Sequence, residues 1–169
     1  MKITLGKLEY IDMKDLYEFE LENRTYFEKT VPSRGDDYYH FETFKRKNEE
    51  LLKEQMQELS YFYLIKNEGG QIVGRINLTD IDKNQHLGHL GYRVGEAYIG
   101  KGIANQALQL LLATIEDKGI QQIAAQTTTN NIASQKILEK NGFTYIRTSD
   151  EVFEMNGQSL KFVYYKWGC

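Results

Sequence analysis

At 169 residues the chain has room for one domain with a substantial core and not for two, which sets a single domain at 1–169. Hydrophobic residues at 41% and charged residues at 27% exclude a disordered chain, and a net charge of −3 without a basic stripe argues against nucleic acid as a partner. A lone cysteine, Cys169, excludes an intramolecular disulfide, and no apolar run resembles a leader or a bilayer span, so the expected setting is cytoplasmic with no membrane partner.

Ile3 and Leu5 alternate as a first strand, and Asp12 then offers an N-cap for a helix that turns Leu16 and Phe19 inward. The stretch from Arg24 to Asp37 is polar and aromatic and holds the only proline, Pro32. From Phe41 to Gln57 a second helix is expected, with Phe41, Phe44, Leu51, Leu52 and Met56 on one stripe. The period then changes to two. Tyr61–Ile65, Ile72–Leu78 and Leu87–Val94, separated by Glu68-Gly69-Gly70 and the polar 80–85 stretch, predict an antiparallel meander. A helix follows Gly102 through Ala107, Leu108, Leu111, Leu112 and Ile115, closed by Gly119. Ile120–Thr127 is a strand, Asn131–Lys140 a helix, and Phe143–Arg147 with Leu160–Trp167 a final strand pair. The order β-α-α-β-β-β-α-β-α-β-β describes an α+β fold, a mixed sheet of about seven strands with about four helices on its faces.

The segment Gly95-Glu96-Ala97-Tyr98-Ile99-Gly100-Lys101-Gly102-Ile103-Ala104 lies between a strand and a helix. Glycines there let backbone N–H groups approach a ligand, and the helix start that follows favours an anion. The alternative is a tight turn that holds nothing. As a P-loop the segment lacks the Ser or Thr after its lysine, where Gly102 stands. As a dinucleotide fingerprint it has Asn105 for its third glycine, and Ile120-Gln121-Gln122 where the ribose-binding carboxylate belongs.

The same segment resembles the pyrophosphate loop of the GNAT (Gcn5-related N-acetyltransferase) superfamily, Q/R-x-x-G-x-G/A. Gly100, Lys101 and Gly102 match its second half, while Ala97 replaces the usual Gln or Arg. In that departure Tyr98-Ile99-Gly100-Lys101-Gly102-Ile103-Ala104 is similar to the RimJ/RimL branch, the ribosomal-protein N-terminal acetyltransferases. Downstream, Asn131-Ile132-Ala133-Ser134-Gln135-Lys136-Ile137-Leu138-Glu139-Lys140-Asn141-Gly142-Phe143 matches N-x-x-S-x-x-x-x-E-K-x-G-F throughout. Gly74-Arg75-Ile76-Asn77-Leu78 resembles the branch's third strand, and Glu22-Asn23-Arg24 with Tyr26-Phe27 its first-helix region.

The resemblance implies a GNAT-like acyl-CoA N-acyltransferase fold and direct transfer of acetyl from acetyl-CoA to a primary amine, without a metal. It assigns the pyrophosphate to the amides of Gly100, Lys101, Gly102, Ile103 and Ala104, and the thioester arm to Tyr92, Arg93 and Val94. Asn131 would bond the pantetheine arm; its alternative is helix capping. The family's usual acid, a tyrosine, falls at Leu138; in this branch the motif serine takes that role, here Ser134, whose alternative is also local capping. His89 and Glu22 are the candidate bases, with Asp80 behind them and a water chain as the alternative. Arg24, Tyr26, Phe27 and Asn77 would line the acceptor cleft. The implied acceptor is a protein N-terminal α-amine of the ribosomal-protein type. A small amine (polyamine, amino acid or antibiotic) is the alternative, and a polycation would favour an acidic cleft. A non-catalytic acyl-CoA-binding module stands third, and a homodimer is a common arrangement in the family.

Overall fold

A computed structural model describes residues 1–168; Cys169, and with it the sequence question of its role, lies outside the described residues. β1 (Ile3–Lys7) leads into α1 (Met13–Glu22), the one-turn α2 (Arg24–Phe27) and α3 (Phe41–Met56). The meander follows as β2 (Tyr61–Asn67), β3 (Ile72–Asp82) and β4 (Leu87–Val94). After it come α4 (Ile103–Thr114), β5 (Gln122–Thr128), α5 (Ile132–Lys140), β6 (Thr144–Thr148), the small hairpin β7 (Phe153–Met155) and β8 (Gln158–Leu160), and β9 (Phe162–Gly168). The main sheet has seven strands in the order β1-β2-β3-β4-β5-β9-β6, with every neighbouring pair antiparallel except β4 and β5. Among the described residues no helix is long and apolar enough to cross a membrane.

Strand alternation gives the sheet two different faces. Cross-strand partners share a face, so Leu64, Arg75 and Arg93 point one way, as do Phe62, Asn77 and Gly91. That side is covered by α1, α2 and α3 through Leu16, Phe19, Phe27 and Phe44. Tyr63, Ile76 and Tyr92 point to the other side, where Ile103, Leu108 and Leu111 of α4 and Leu138 of α5 complete the larger core.

The expected stripe on α3 needs correction at both ends, for Phe41 at its start is exposed as well as Met56 at its close. Met56 is 85% exposed, and the inward positions, one and then two turns apart, are instead Phe44, Asn48 and Gln55. Gln55 is buried because both ends of its amide are used: Nε2 donates to the Leu8 carbonyl (2.9 Å) and Oε1 accepts the Phe62 N–H (3.0 Å). The hairpin β7–β8 is an addition to the expected elements, its strands being too short for a periodic pattern. Phe153 stacks on Phe162 at 4.4 Å, and from the tip Asn156 Nδ2 donates to the carbonyl of Lys29.

Candidate active site

The centre of the sheet is where pairing fails. β4 and β5 are parallel partners over three positions only, Leu87 with Gln122, Gly88 with Ile123 and His89 with Ala124. Beyond His89, β4 stays on β3 as far as Val94 while β5 stays on β9 as far as Thr128, so a cleft opens between them. The N–H of Gly95 donates to the Val73 carbonyl (2.9 Å). By strand alternation Arg93 spends its N–H on β3 as well, whereas Tyr92 and Val94 aim theirs into the cleft.

The glycine segment sits at the mouth of this cleft. Gly100 (φ +79°) and Gly102 (φ +73°) adopt the left-handed conformation, and a Cβ on either would meet nothing within 4 Å. Gln106 makes the first backward bond of α4, to the Gly102 carbonyl at 3.1 Å, so Ile103, Ala104 and Asn105 present N–H groups with no carbonyl behind them. Ile103 is buried and anchors the turn, while Lys101 is exposed with its ammonium 5.8 Å from the centre of the Tyr98 ring. Asn23 ties this segment to α1, accepting the Glu96 N–H at 2.9 Å. These residues fit an anionic ligand carried on backbone amides.

Across the cleft, Asn131 caps α5 by accepting the Ser134 N–H (3.1 Å). The Ser134 hydroxyl is 2.8 Å from the Tyr92 hydroxyl, which reaches it from β4. Burial pushes the Tyr92 phenol up from its ordinary value, with the bond to Ser134 opposing, so the phenol keeps its proton at neutral pH. Leu138, at the position of the family's tyrosine, is buried in the core.

On the opposite face a cavity of about 730 Å³ lies between α3 and the floor formed by β3 and β4. Arg34, Lys47, Arg75, Asn77, Gly91 and Arg93 are among its lining residues. Beneath it, Glu20 is fully buried and holds three arginines: Arg75 at 2.9 Å, Arg93 at 3.3 Å and Arg34 at 3.9 Å. Burial raises the Glu20 pKa, but Arg75, Arg93 and Arg34 together outweigh it and hold the carboxyl below its ordinary value. Arg75 also donates to Asn48 Oδ1 (3.2 Å), which leaves its buried Nε without a partner. Asn77 Oδ1 is likewise buried and unpartnered.

The sequence candidates therefore separate. Gly100, Gly102, Ile103, Ala104, Asn131, Ser134, Tyr92 and Val94 gather around the cleft. Arg93, grouped with them from sequence, points the other way, its guanidinium on Glu20 and over the Phe27 ring (4.7 Å). Of the four acceptor-cleft candidates only Asn77 lines the cavity. Phe27 is buried beneath Arg93, Tyr26 packs against the same aromatic cluster, and Arg24 is held by Glu28 (3.1 Å) and Asp36 (2.5 Å). Glu22 is exposed at the end of α1 and is no part of the lining; the carboxylate that α1 turns inward is Glu20, two residues earlier and so on the opposite side of the helix. His89 is exposed at the last position where β4 pairs with β5, outside the cavity lining. Sequence reasoning missed Glu20, Arg34, Lys47, Arg75 and Gly91 as site residues. The signal for Glu20 was its place on the inward stripe of Leu16 and Phe19. Among the described residues no group of three or more His, Cys, Asp or Glu side chains is placed to hold a metal.

Comparison with known proteins places these features in context. A family model described as an acetyltransferase (GNAT) domain matches residues 2–144. The chain is 27% identical over 144 residues to the probable N-acetyltransferase YjcK of Bacillus subtilis (strain 168), covering 83% of this chain and 80% of that one. The solved ribosomal-protein-S5-alanine acetyltransferase from Vibrio fischeri superposes with a TM-score of 0.90 at 19% identity, covering 99% of this chain and 93% of that one. The ribosomal L7/L12 alpha-N-protein acetyltransferase RimL, solved in complex with coenzyme A, superposes with a TM-score of 0.88 at 18% identity, covering 99% and 94%. At such identities the structural likeness speaks for the fold.

Proposed function

Because the chain belongs to the acetyltransferase (GNAT) domain family, we propose that it transfers acetyl from acetyl-CoA to the N-terminal α-amine of a protein. The observation that carries this reading is the interrupted sheet: one cleft has a glycine segment at its mouth, a hydroxyl pair on one side and an open cavity on the other face. The names of the superposed ribosomal-protein acetyltransferases support a protein acceptor, and the bound coenzyme A of one of them supports acetyl-CoA.

Acetyl-CoA supplies an acyl carbon already activated as a thioester. The chain supplies position and polarity. The amides of Gly100 to Ala104 oppose the charge of a pyrophosphate, and the N–H groups of Tyr92 and Val94 donate to groups lying in the cleft. Asn77 Oδ1 accepts an N–H from the incoming amine. Tyr92, which keeps its proton, donates to Ser134 Oγ and so frees the serine hydrogen to bond the departing sulfur. Glu20 is committed to three arginines, and His89 and Glu22 stand outside the cavity lining. The ammonium proton therefore leaves through water, which suffices for an α-amine with a pKa near 8. The neutral nitrogen then bonds the acyl carbon as its bond to sulfur breaks, and the second proton of that nitrogen ends on the departing thiolate.

Thiol release from acetyl-CoA tests the reading, with free and N-formylated forms of one peptide as acceptors. Release only with the free peptide is expected; release with small amines but not with peptides would replace the protein acceptor. Calorimetry on Gly102→Glu should show coenzyme affinity falling at least about tenfold, since a side chain is strained at this φ and its carboxylate repels the phosphates. An unchanged dissociation constant would remove the loop from the coenzyme site.

A further inference from the structure

The charge of the cavity runs against the charge of the chain. Whereas the protein carries a net −3, the cavity is lined by Arg34, Lys47, Arg75 and Arg93. Facing them are Glu50 on the lining and Glu20 beneath it, so cations outnumber carboxylates by two to one. Among the described residues Lys47 makes no ion pair, whereas the nearby Arg24 is already held by Glu28 and Asp36 and adds nothing. Arg75 is 4% exposed and its Nε points to no acceptor, an expensive omission in a buried guanidinium. Burial lowers the Arg93 pKa; Glu20 opposes this, and the crowding of Arg34 and Arg75 adds to it. Four cations around one cavity with one buried N–H unused describe a site built to receive an anion.

We propose that the acceptor presents an anionic group to the ring of Arg34, Lys47, Arg75 and Arg93, so that the peptides acetylated carry acidic side chains directly behind the free amine. This rests on the protein N-terminal reading above. Spacing sets the position. Asn77, the acceptor for the amine, and Arg75 are two residues apart on one face of β3, about 7 Å along the strand. A peptide advances about 3.3–3.6 Å per residue, so the carboxylate belongs at its second or third position. A polyamine acceptor, by contrast, would bring cations to cations.

The experiment compares Ser-Asp-Glu-Gly-Gly with Ser-Lys-Arg-Gly-Gly, alongside O-phosphoserine and spermidine, in the thiol-release assay. Expected is at least about a tenfold advantage in kcat/KM for the acidic peptide at low salt, shrinking at high salt as the charges are screened. Lys47→Glu, a substitution at an exposed position of α3, should cut that advantage several-fold and leave the dissociation constant of acetyl-CoA unchanged. Equal use of both peptides, or preference for the basic one, overturns the anionic acceptor and leaves the N-terminal reading standing. Turnover of O-phosphoserine with neither peptide upholds the anionic acceptor and removes the protein one. Turnover of spermidine alone overturns both. A Lys47→Glu variant that weakens acetyl-CoA and leaves the peptide ratio intact would assign these cations to the coenzyme and also overturn the proposal.

Discussion

The two faces of the central sheet solve the same problem, covering β3 and β4, with different materials. Beneath α4 and α5 the contact is aliphatic: Ile76, Leu78, Ile103, Leu108, Leu111 and Ile123 are all at most 2% exposed. Beneath α1 and α3, Phe62 and Leu64 share the face with a buried carboxylate and its arginines. The first surface sets the glycine segment and α5 on a rigid support, and what it offers a ligand is largely backbone. The second offers side chains. A coenzyme common to a whole family can be met by amides that any sequence supplies, whereas an acceptor has to be told apart from others by charge and shape.

Breaking the ionic face should give the largest effect. Glu20→Gln leaves three guanidinium groups without their shared carboxylate and should cost about 3–5 kcal/mol in denaturant unfolding. The folded pKa of Glu20 lies below the ordinary value, so its stabilisation is complete above about pH 4.3 and is lost as pH falls through the folded value. Wild-type protein should therefore lose stability in acid over a window where the variant is comparatively flat; parallel curves would show that Glu20 is not charged when folded.

On the face covered by α4 and α5, where the coenzyme is proposed to bind, Ser134→Ala should lower kcat about a hundredfold with the coenzyme dissociation constant nearly unchanged. Tyr92→Phe should lower kcat by less, since Ser134 keeps its own hydrogen and loses only its orientation. Equal losses would mean that the tyrosine itself meets the sulfur. The smallest effect expected is at the cavity floor. A Cβ at Gly91 meets nothing within 4 Å, so Gly91→Leu should fold normally and grow into the space above Asn77. Acceptor KM should rise about tenfold while acetyl-CoA binding holds; a matching loss of coenzyme would place both ligands on one face.

The same contrast governs what the sequence reveals. The meander, the helix after Gly102 and the cap at Asn131 are legible because each is written locally, in a period, a glycine or an Asn three residues before its bonded N–H. The cavity is not. Glu20 meets Arg75 across 55 positions and Arg93 across 73, and no spacing rule joins them. Glu22 and Glu20 look alike in a helix whose sequence is rich in charge, and only the inward stripe of Leu16 and Phe19 separates them. Arg75 carries a fainter mark, a cation in a strand whose neighbours Val73, Gly74 and Ile76 are all buried. The exposure of Met56 and burial of Gln55 follow the same logic. Gln55 is worth burying only because Leu8, 47 residues away just after β1, and Phe62, on the next strand, present backbone groups there, and no helical period announces either.

The three-residue join between β4 and β5 has a mechanical consequence. A sheet normally keeps its unpaired edges at its borders, where charge and twist protect them; this one carries two inside. The strands on either side form two half-sheets that share three rungs of a ladder, and the proposed coenzyme site lies where the further rungs would be. A ligand that binds in this gap, as proposed for acetyl-CoA, should therefore raise the protein's resistance to unfolding as its concentration increases.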